Sequence, residues 1–276
     1  MRPPVLLALS VAALLAALGC ASILSIPDRT LKWCDRQATV HAFCEDFDQA
    51  DAGAGLDPPV VAPGAAISFV PSEDTPPTAL DTQTVALPGP DASAVAAMGK
   101  RFEDRHFDHV VVEADVRFVQ ANFMTQDGLT TGVGFLLLAD IPSFCIGLVA
   151  APSASNLPNA IDIGVLYVPN SSNCVTVGNL PMPDAGIDPD AGGSLTIFTN
   201  TVLKAWTHFR LDAKRASDGS GTVNAYGGAG AGIAPSIPPG SLADGFPLVG
   251  LATTVTGPAG PFQIQFDNVT IDFPRD

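Results

Sequence analysis

Apolar and polar residues alternate along HVVVEADVRFV (109–119). Val110, Val112, Ala114, Val116 and Phe118 fall on one side, Glu113, Asp115 and Arg117 on the other. A period of two is that of a β-strand with one buried and one wet face. IDIGVLYV (161–168) alternates in the same way and groups Ile161, Ile163, Val165 and Tyr167. TGVGFLLLA (131–139) and FCIGLVA (144–150) are more continuously apolar and predict inner strands. SLTIFT (194–199), WTHFRLDA (206–213), TVNAY (222–226) and FPLVGLATTV (246–255) continue the series, with turn residues between them. In the last, PFQIQFDNVTIDF (261–273), Phe262, Ile264 and Phe266 share one phase and Val269, Ile271 and Phe273 the other. A β-bulge at Asp267-Asn268 would return both sets to one face. Outside the leader no long segment has helical period. ASAVAAMGKRFEDR (92–105) is the one candidate, for a helical turn or an irregular strand. Residues 50–66, PMPDAGIDPDAGGS (181–194) and GGAGAGIAPSIPPGS (227–241) read as loops, the last of them mobile. Strand patterns resume on both sides of each, so one all-β domain is expected from residue 34 to 276.

The chain opens with a different pattern. Arg2 is the only charge before residue 28, and Val5 to Leu18 is apolar except for Ser10. That is the layout of an export signal, and it is shorter than the ~20 apolar residues a membrane span needs. Ala17-Leu18-Gly19-Cys20 resembles a bacterial lipobox. The resemblance implies cleavage after residue 19, lipidation of the Cys20 thiol and a tether over 20–33. It also implies a bilayer partner, and with Ala21 next, an outer-membrane location in the cell envelope. Ordinary secretory cleavage is the alternative. The chain has five cysteines. With Cys20 lipidated, Cys34, Cys44, Cys145 and Cys174 remain, and an exported compartment lets them pair. Nearness in sequence favours Cys34–Cys44 and Cys145–Cys174. A zinc site using His41 between Cys34 and Cys44 lacks the tight Cys spacing zinc prefers.

The ordered strand series resembles the concanavalin A-like, or laminin-G-like, fold, a two-sheet antiparallel jelly-roll sandwich. CEDFD (44–48) is similar to its opening strand, KAWTHFRLDA (204–213) and GTVNAYGG (221–228) to two consecutive strands, and FDNVTID (266–272) to its closing strand. The resemblance implies all-β architecture and carries carbohydrate or adhesion partners with it. Calcium is common among laminin-G-like domains, so a site is implied without named ligands. Asp184, Asp188 and Asp190 lie close together but without EF-hand spacing.

Charge narrows the partners. The formal net charge is −15, and loss of the leader with Arg2 takes it to −16. An acidic surface repels phosphate backbones, which excludes nucleic acid as an expected partner. A polysaccharide or a surface protein remains. Gly and Pro, at 26 and 25 residues, are spread between apolar runs and supply turns.

Candidate chemistry is sparse. Some jelly-roll glycosidases carry E-x-D-x-E on one strand. Here Glu113-Ala114-Asp115-Val116-Arg117 replaces the third acid with Arg117, which cannot donate a proton near neutral pH. The bland expectation is a solvated strand face with Glu113 or Asp115 near Arg117. No G-x-S-x-G, H-E-x-x-H or P-loop occurs, and His208 shares a face with Trp206 and Arg210. No catalytic residue and no cofactor beyond calcium is therefore expected. The leading expectation is a membrane-anchored, non-catalytic binding or adhesion module. A diverged glycoside hydrolase and a purely structural envelope protein are the alternatives.

Overall fold

A computed structural model describes residues 33–48, 51–71, 78–89, 92–126, 129–130, 132–140, 144–153, 159–169, 194–228, 230–233, 237–242 and 245–275. The chain divides into two units, Met1–Ala38 and Thr39–Asp276. In the first, the described residues hold one 3-10 turn, Cys34–Arg36, closed by the Gln37 amide donating to the Cys34 carbonyl at 3.4 Å.

The second unit is built of strands. In chain order they are β1 Phe43–Glu45, β2 Val60–Val61, β3 Ala65–Pro71, β4 Thr78–Thr84, β5 Ser93–Arg101, β6 His109–Ala121, β7 Thr125–Gln126, β8 Leu129–Thr130 and β9 Val133–Asp140. There follow β10 Phe144–Pro152, β11 Ala160–Pro169, β12 Ser194–Val202, β13 Trp206–Arg215, β14 Gly221–Gly227, β15 Gly230–Ile233, β16 Leu248–Thr256 and β17 Phe262–Asp272. The first sheet runs β15-β14-β13-β6-β17-β4-β3, with β1 also on β17; the second runs β12-β11-β10-β9-β16-β5-β2. Neighbours within both are antiparallel. This is the two-sheet jelly-roll sandwich.

The inner face of the first sheet follows the sequence pattern. Val110, Val112, Ala114, Val116 and Phe118 of β6 are all fully buried. They meet the second sheet through a chain of edge-to-face rings, Phe118 to Phe135 at 5.2 Å and Phe135 to Phe209 at 5.4 Å between centroids. Thr82 and Thr253, one from each sheet, hydrogen-bond at 2.6 Å inside this core, which satisfies two hydroxyls away from water. In the second sheet β10 is buried from Phe144 to Ala151, and Val95, Leu137, Val149 and Leu166 are buried on its outer side. Burial on both faces is why β9 and β10 lack alternation.

The phase slip in β17 is a bulge: its register against β6 shifts between Asp267 and Thr270, and Asn268 has φ 49°. Val269 and Ile271 thereby join Phe262, Ile264 and Phe266 in the core.

Two expectations are corrected and one left open is decided. Of the helical turn or irregular strand expected within 92–105, residues 93–101 form a strand, β5. Its small residues Ala94 to Ala97 pack between two flanking strands, and pairing on both edges overrides the helix preference of alanine. Residues 50–66 are not all loop, because Val60–Val61 pairs with β5 and β3 begins at Ala65. A two-residue strand is too short to show alternation. Within 227–241, Gly230–Ile233 pairs with β14 as an ordered edge strand. The glycines are what let it approach β12: a Cβ on Gly232 would lie 2.1 Å from the Phe198 Cβ, and one on Gly230 2.6 Å from Thr199. Segment 181–193, with Asp184, Asp188 and Asp190, lies outside the described residues.

Candidate functional site

The outward positions of the first sheet collect its polar residues. Antiparallel register sets Glu113 of β6 opposite Arg210 of β13, and Arg210 opposite Tyr226 of β14. One step along, Asp115 faces His208, and one further, Arg117 faces Trp206. Residues far apart in sequence thus form three rows across the strands, because period-two strands in register stack same-face side chains.

The rows are linked by charge. Arg210 Nη1 donates to Glu113 Oε1 at 2.7 Å and Nη2 to Asp212 Oδ2 at 2.9 Å. His208 Nδ1 lies 2.9 Å from Asp115 Oδ1, and its Nε2 lies 3.6 Å from Glu113 Oε2. His109 Nε2 lies 3.0 Å from Asp212 Oδ1. The Arg117 guanidinium sits 6.0 Å from the centre of the Trp206 ring. His208 and Arg210 from the neighbouring strand thus contact both carboxylates.

These contacts set protonation. The hydrogen bond to Asp115, with the nearby Glu113 carboxylate, raises the His208 pKa from 6.5 to about 9. At neutral pH His208 is an imidazolium and has no lone pair to act as a base. Its contact with Glu113 in turn holds that carboxyl below its ordinary value. A glycosidase general acid needs the opposite shift, so the diverged-hydrolase expectation finds no support in this pair. The fold-raised His208 pKa contributes stability that is whole below about 6.5 and is lost as pH rises through about 9. The side chain is 53% exposed, so solvent screens the contribution and it is small. A proton-detected NMR titration is expected to place the His208 midpoint near 9, and Asp115→Asn to bring it down toward 6.5. A wild-type midpoint already at 6.5 would contradict the pairing.

Beside this network lies a cleft of about 460 Å³ lined by Trp206, His208, Tyr226, Gly227, Gly228 and Gly230. Tyr226 is 42% exposed. Of the charged rows, His208 lines this cleft together with the two aromatic residues. A larger hollow of about 540 Å³ lies by Asp57, Arg101, Glu103 and Asp104, but it has no aromatic lining and none of the paired rows. Farther along the same sheet, Gln263 Nε2 donates to Asp81 Oδ1 at 2.8 Å and Gln83 Nε2 bonds the other Asp81 oxygen.

One buried acid stands behind the rows. Asp267 at the bulge is fully buried, and burial, aided by Asp48, Asp115 and Asp46, raises its pKa from 3.8 to about 9. Its Oδ1 accepts the Asn268 amide at 2.7 Å, while its Oδ2 and the Asn268 Oδ1 are buried without a hydrogen-bond partner. The Asn268 Nδ2 donates to Asp115 at 2.7 Å. Among the described residues no group of three or more His, Cys, Asp or Glu side chains is arranged to hold a metal ion.

Cys34, Cys44 and Cys145 each take part in a disulfide. Cys20 and Cys174 lie outside the described residues. Of the features singled out from sequence, Glu113, Asp115 and His208 come together, and the shared face of Trp206, His208 and Arg210 holds. Tyr226 was not expected at the site. Its outward position was visible in TVNAY, but its partner Arg210 depends on a strand register that no local pattern states.

No family model matches the chain, and no curated protein sequence matches it. Solved structures do. The endo-β-1,4-glucuronan lyase of the fungus Trichoderma reesei superposes with TM-score 0.53 at 15% identity, over 85% of this chain and 96% of that one. The PL-14 alginate lyase of Aplysia kurodai does so with TM-score 0.50 at 11% identity, over 86% of this chain and all of the other, 100%. At these identities the likeness is one of fold, and it agrees with the jelly-roll sandwich described above.

Proposed function

We propose that this chain is a polysaccharide-binding protein whose first sheet presents the binding face, with no catalysis of its own. The observation that carries the reading is the cleft in which Trp206 and Tyr226 stand beside the paired rows of His208, Arg210, Glu113 and Asp115. Aromatic rings supply flat apolar surface with polar tips, and fixed carboxylates and amides supply hydrogen-bond acceptors and donors for hydroxyls. Two of the structural neighbours are named as a glucuronan lyase and an alginate lyase, which supports the reading by analogy of fold alone. Binding of the domain to a broad polysaccharide panel, with calcium and then with chelator, tests it. The calcium arm is included because Asp267 Oδ2 and Asn268 Oδ1 are buried without a hydrogen-bond partner. Retention on at least one polysaccharide is expected, and silence across the panel overturns it.

A second reading, elimination on a uronate polymer, is favoured by the Tyr226 phenol standing opposite Arg210 in the cleft that His208 also lines. Elimination removes a proton from the carbon next to a carboxylate, so it needs an unprotonated base and a neutralised carboxylate. The imidazolium state of His208 and the commitment of Arg210 to Glu113 and Asp212 stand against it. Ultraviolet absorbance of an unsaturated product, followed on glucuronan and alginate, decides between the two.

We also propose that Cys20 is acylated and that the remaining cysteines pair as Cys34–Cys44 and Cys145–Cys174. The apolar leader ending in Gly19-Cys20 supports the anchor, because two or more acyl chains hold a protein stably at a bilayer. Cys20→Ser is expected to move the protein from the membrane fraction to the soluble fraction; retention in the membrane would contradict acylation. A non-reducing peptide map of the exported protein is expected to give those two pairs, and any crossed pair would overturn the assignment.

A further inference from the structure

The charges on this face indicate which polysaccharides it can take. Resting on the polysaccharide reading above, we infer that the ligand is an uncharged polysaccharide rather than a uronate polymer. A uronate chain carries one carboxylate per sugar and needs cations free to meet it. The described face has three cationic side chains near the cleft, His208, Arg210 and Arg117, and each already has an assignment. His208 lies against Asp115 and Glu113, Arg210 bridges Glu113 and Asp212, and Arg117 covers Trp206.

Carboxylates that are already paired still have lone pairs free to accept hydroxyl hydrogens. Glu113 and Asp115 are 27% and 29% exposed, open enough for this. They repel a second carboxylate brought alongside, and the formal charge of −15 on the whole chain repels a polyanion at longer range. Trp206 and Tyr226 offer their rings to uncharged sugar faces without regard to charge. The sandwich is thus shared with enzymes named for uronate polymers, while the charge pattern of its face is suited to their neutral counterparts.

Matched pairs isolate this single variable. The full chain is titrated with oligosaccharides of glucan and glucuronan, mannan and polymannuronate, and galactan and polygalacturonate, at low and high salt. Within at least one pair the neutral member is expected to bind about tenfold or more tighter, with an affinity indifferent to salt. A uronate member that binds tighter than its neutral partner, with affinity falling as salt rises, overturns the inference and leaves the polysaccharide reading standing. Absence of binding in every pair overturns both. The double variant Glu113→Gln, Asp115→Asn releases His208 and Arg210 from their acids. It is expected to raise uronate affinity about tenfold over wild type, and no gain would contradict the charge argument. Circular dichroism of the variant checks that the sandwich is intact before the comparison is made.

Discussion

Changing Phe209 to Ala is expected to lower the unfolding free energy by about 3–5 kcal/mol. The ring is fully buried, stands edge-to-face with Phe135 at 5.4 Å, and lies over Gly227 on the neighbouring strand. A Cβ on Gly227 would come 2.4 Å from the Phe209 ring, so the phenyl fills the space the glycine leaves. Removing it opens a cavity shared by β13, β14 and β9, three strands that cannot collapse together without breaking their ladders. For a chain of this size each kcal/mol corresponds to roughly 2–4 °C in Tm, so a drop of roughly 6–20 °C is expected in thermal unfolding. A shift under 2 °C would mean that the ring chain Phe118–Phe135–Phe209 does not join the sheets as described. His208 and Arg210 flank Phe209 in sequence and point the other way, so this variant also loosens the strand that carries the binding face.

Changing Tyr226 to Ala is expected to weaken polysaccharide binding by about 2 kcal/mol, a factor of roughly 30. The side chain is 42% exposed and sits at the edge of the cleft, so its loss should leave stability within about 0.5 kcal/mol. Trp206→Ala is expected to cost a similar amount of binding, but the ring is half-buried against Arg117 and some stability is lost with it. Titration of each variant with the best polysaccharide of the panel, beside its melting curve, separates the two effects. Unchanged affinity in both variants would remove the aromatic rings from the binding face.

What could be seen in the sequence was what is periodic. β6 and β13 announce both their faces, because alternate residues of HVVVEADVRFV and WTHFRLDA differ sharply in polarity. The bulge in β17 showed as a phase slip, since a buried face tolerates no register error. β15 stayed hidden because glycine and alanine carry no polarity pattern, and its order comes from close approach to Phe198 and Thr199. β5 stayed ambiguous because alanine is a good helix former and only the flanking strands decide its state.

The site was half visible. His208, Trp206 and Arg210 could be put on one face from β13 alone. Their partners could not, because Glu113 lies 97 residues from Arg210 and the register that joins them is a long-range property. The burial of Asp267 was hidden for the same reason: the slip in phase marked the position, but the carboxylates gathered around it, Asp46, Asp48 and Asp115, come from the segment after β1 and from β6.

The most direct test of the binding face is NMR chemical-shift mapping of the ¹⁵N-labelled domain titrated with whichever polysaccharide the panel retains. Perturbed amides clustered on β6, β13 and β14, with Tyr226, His208 and Arg210 among the largest shifts, are the expected result. Shifts confined to the second sheet, or to the hollow by Asp57 and Arg101, would contradict it.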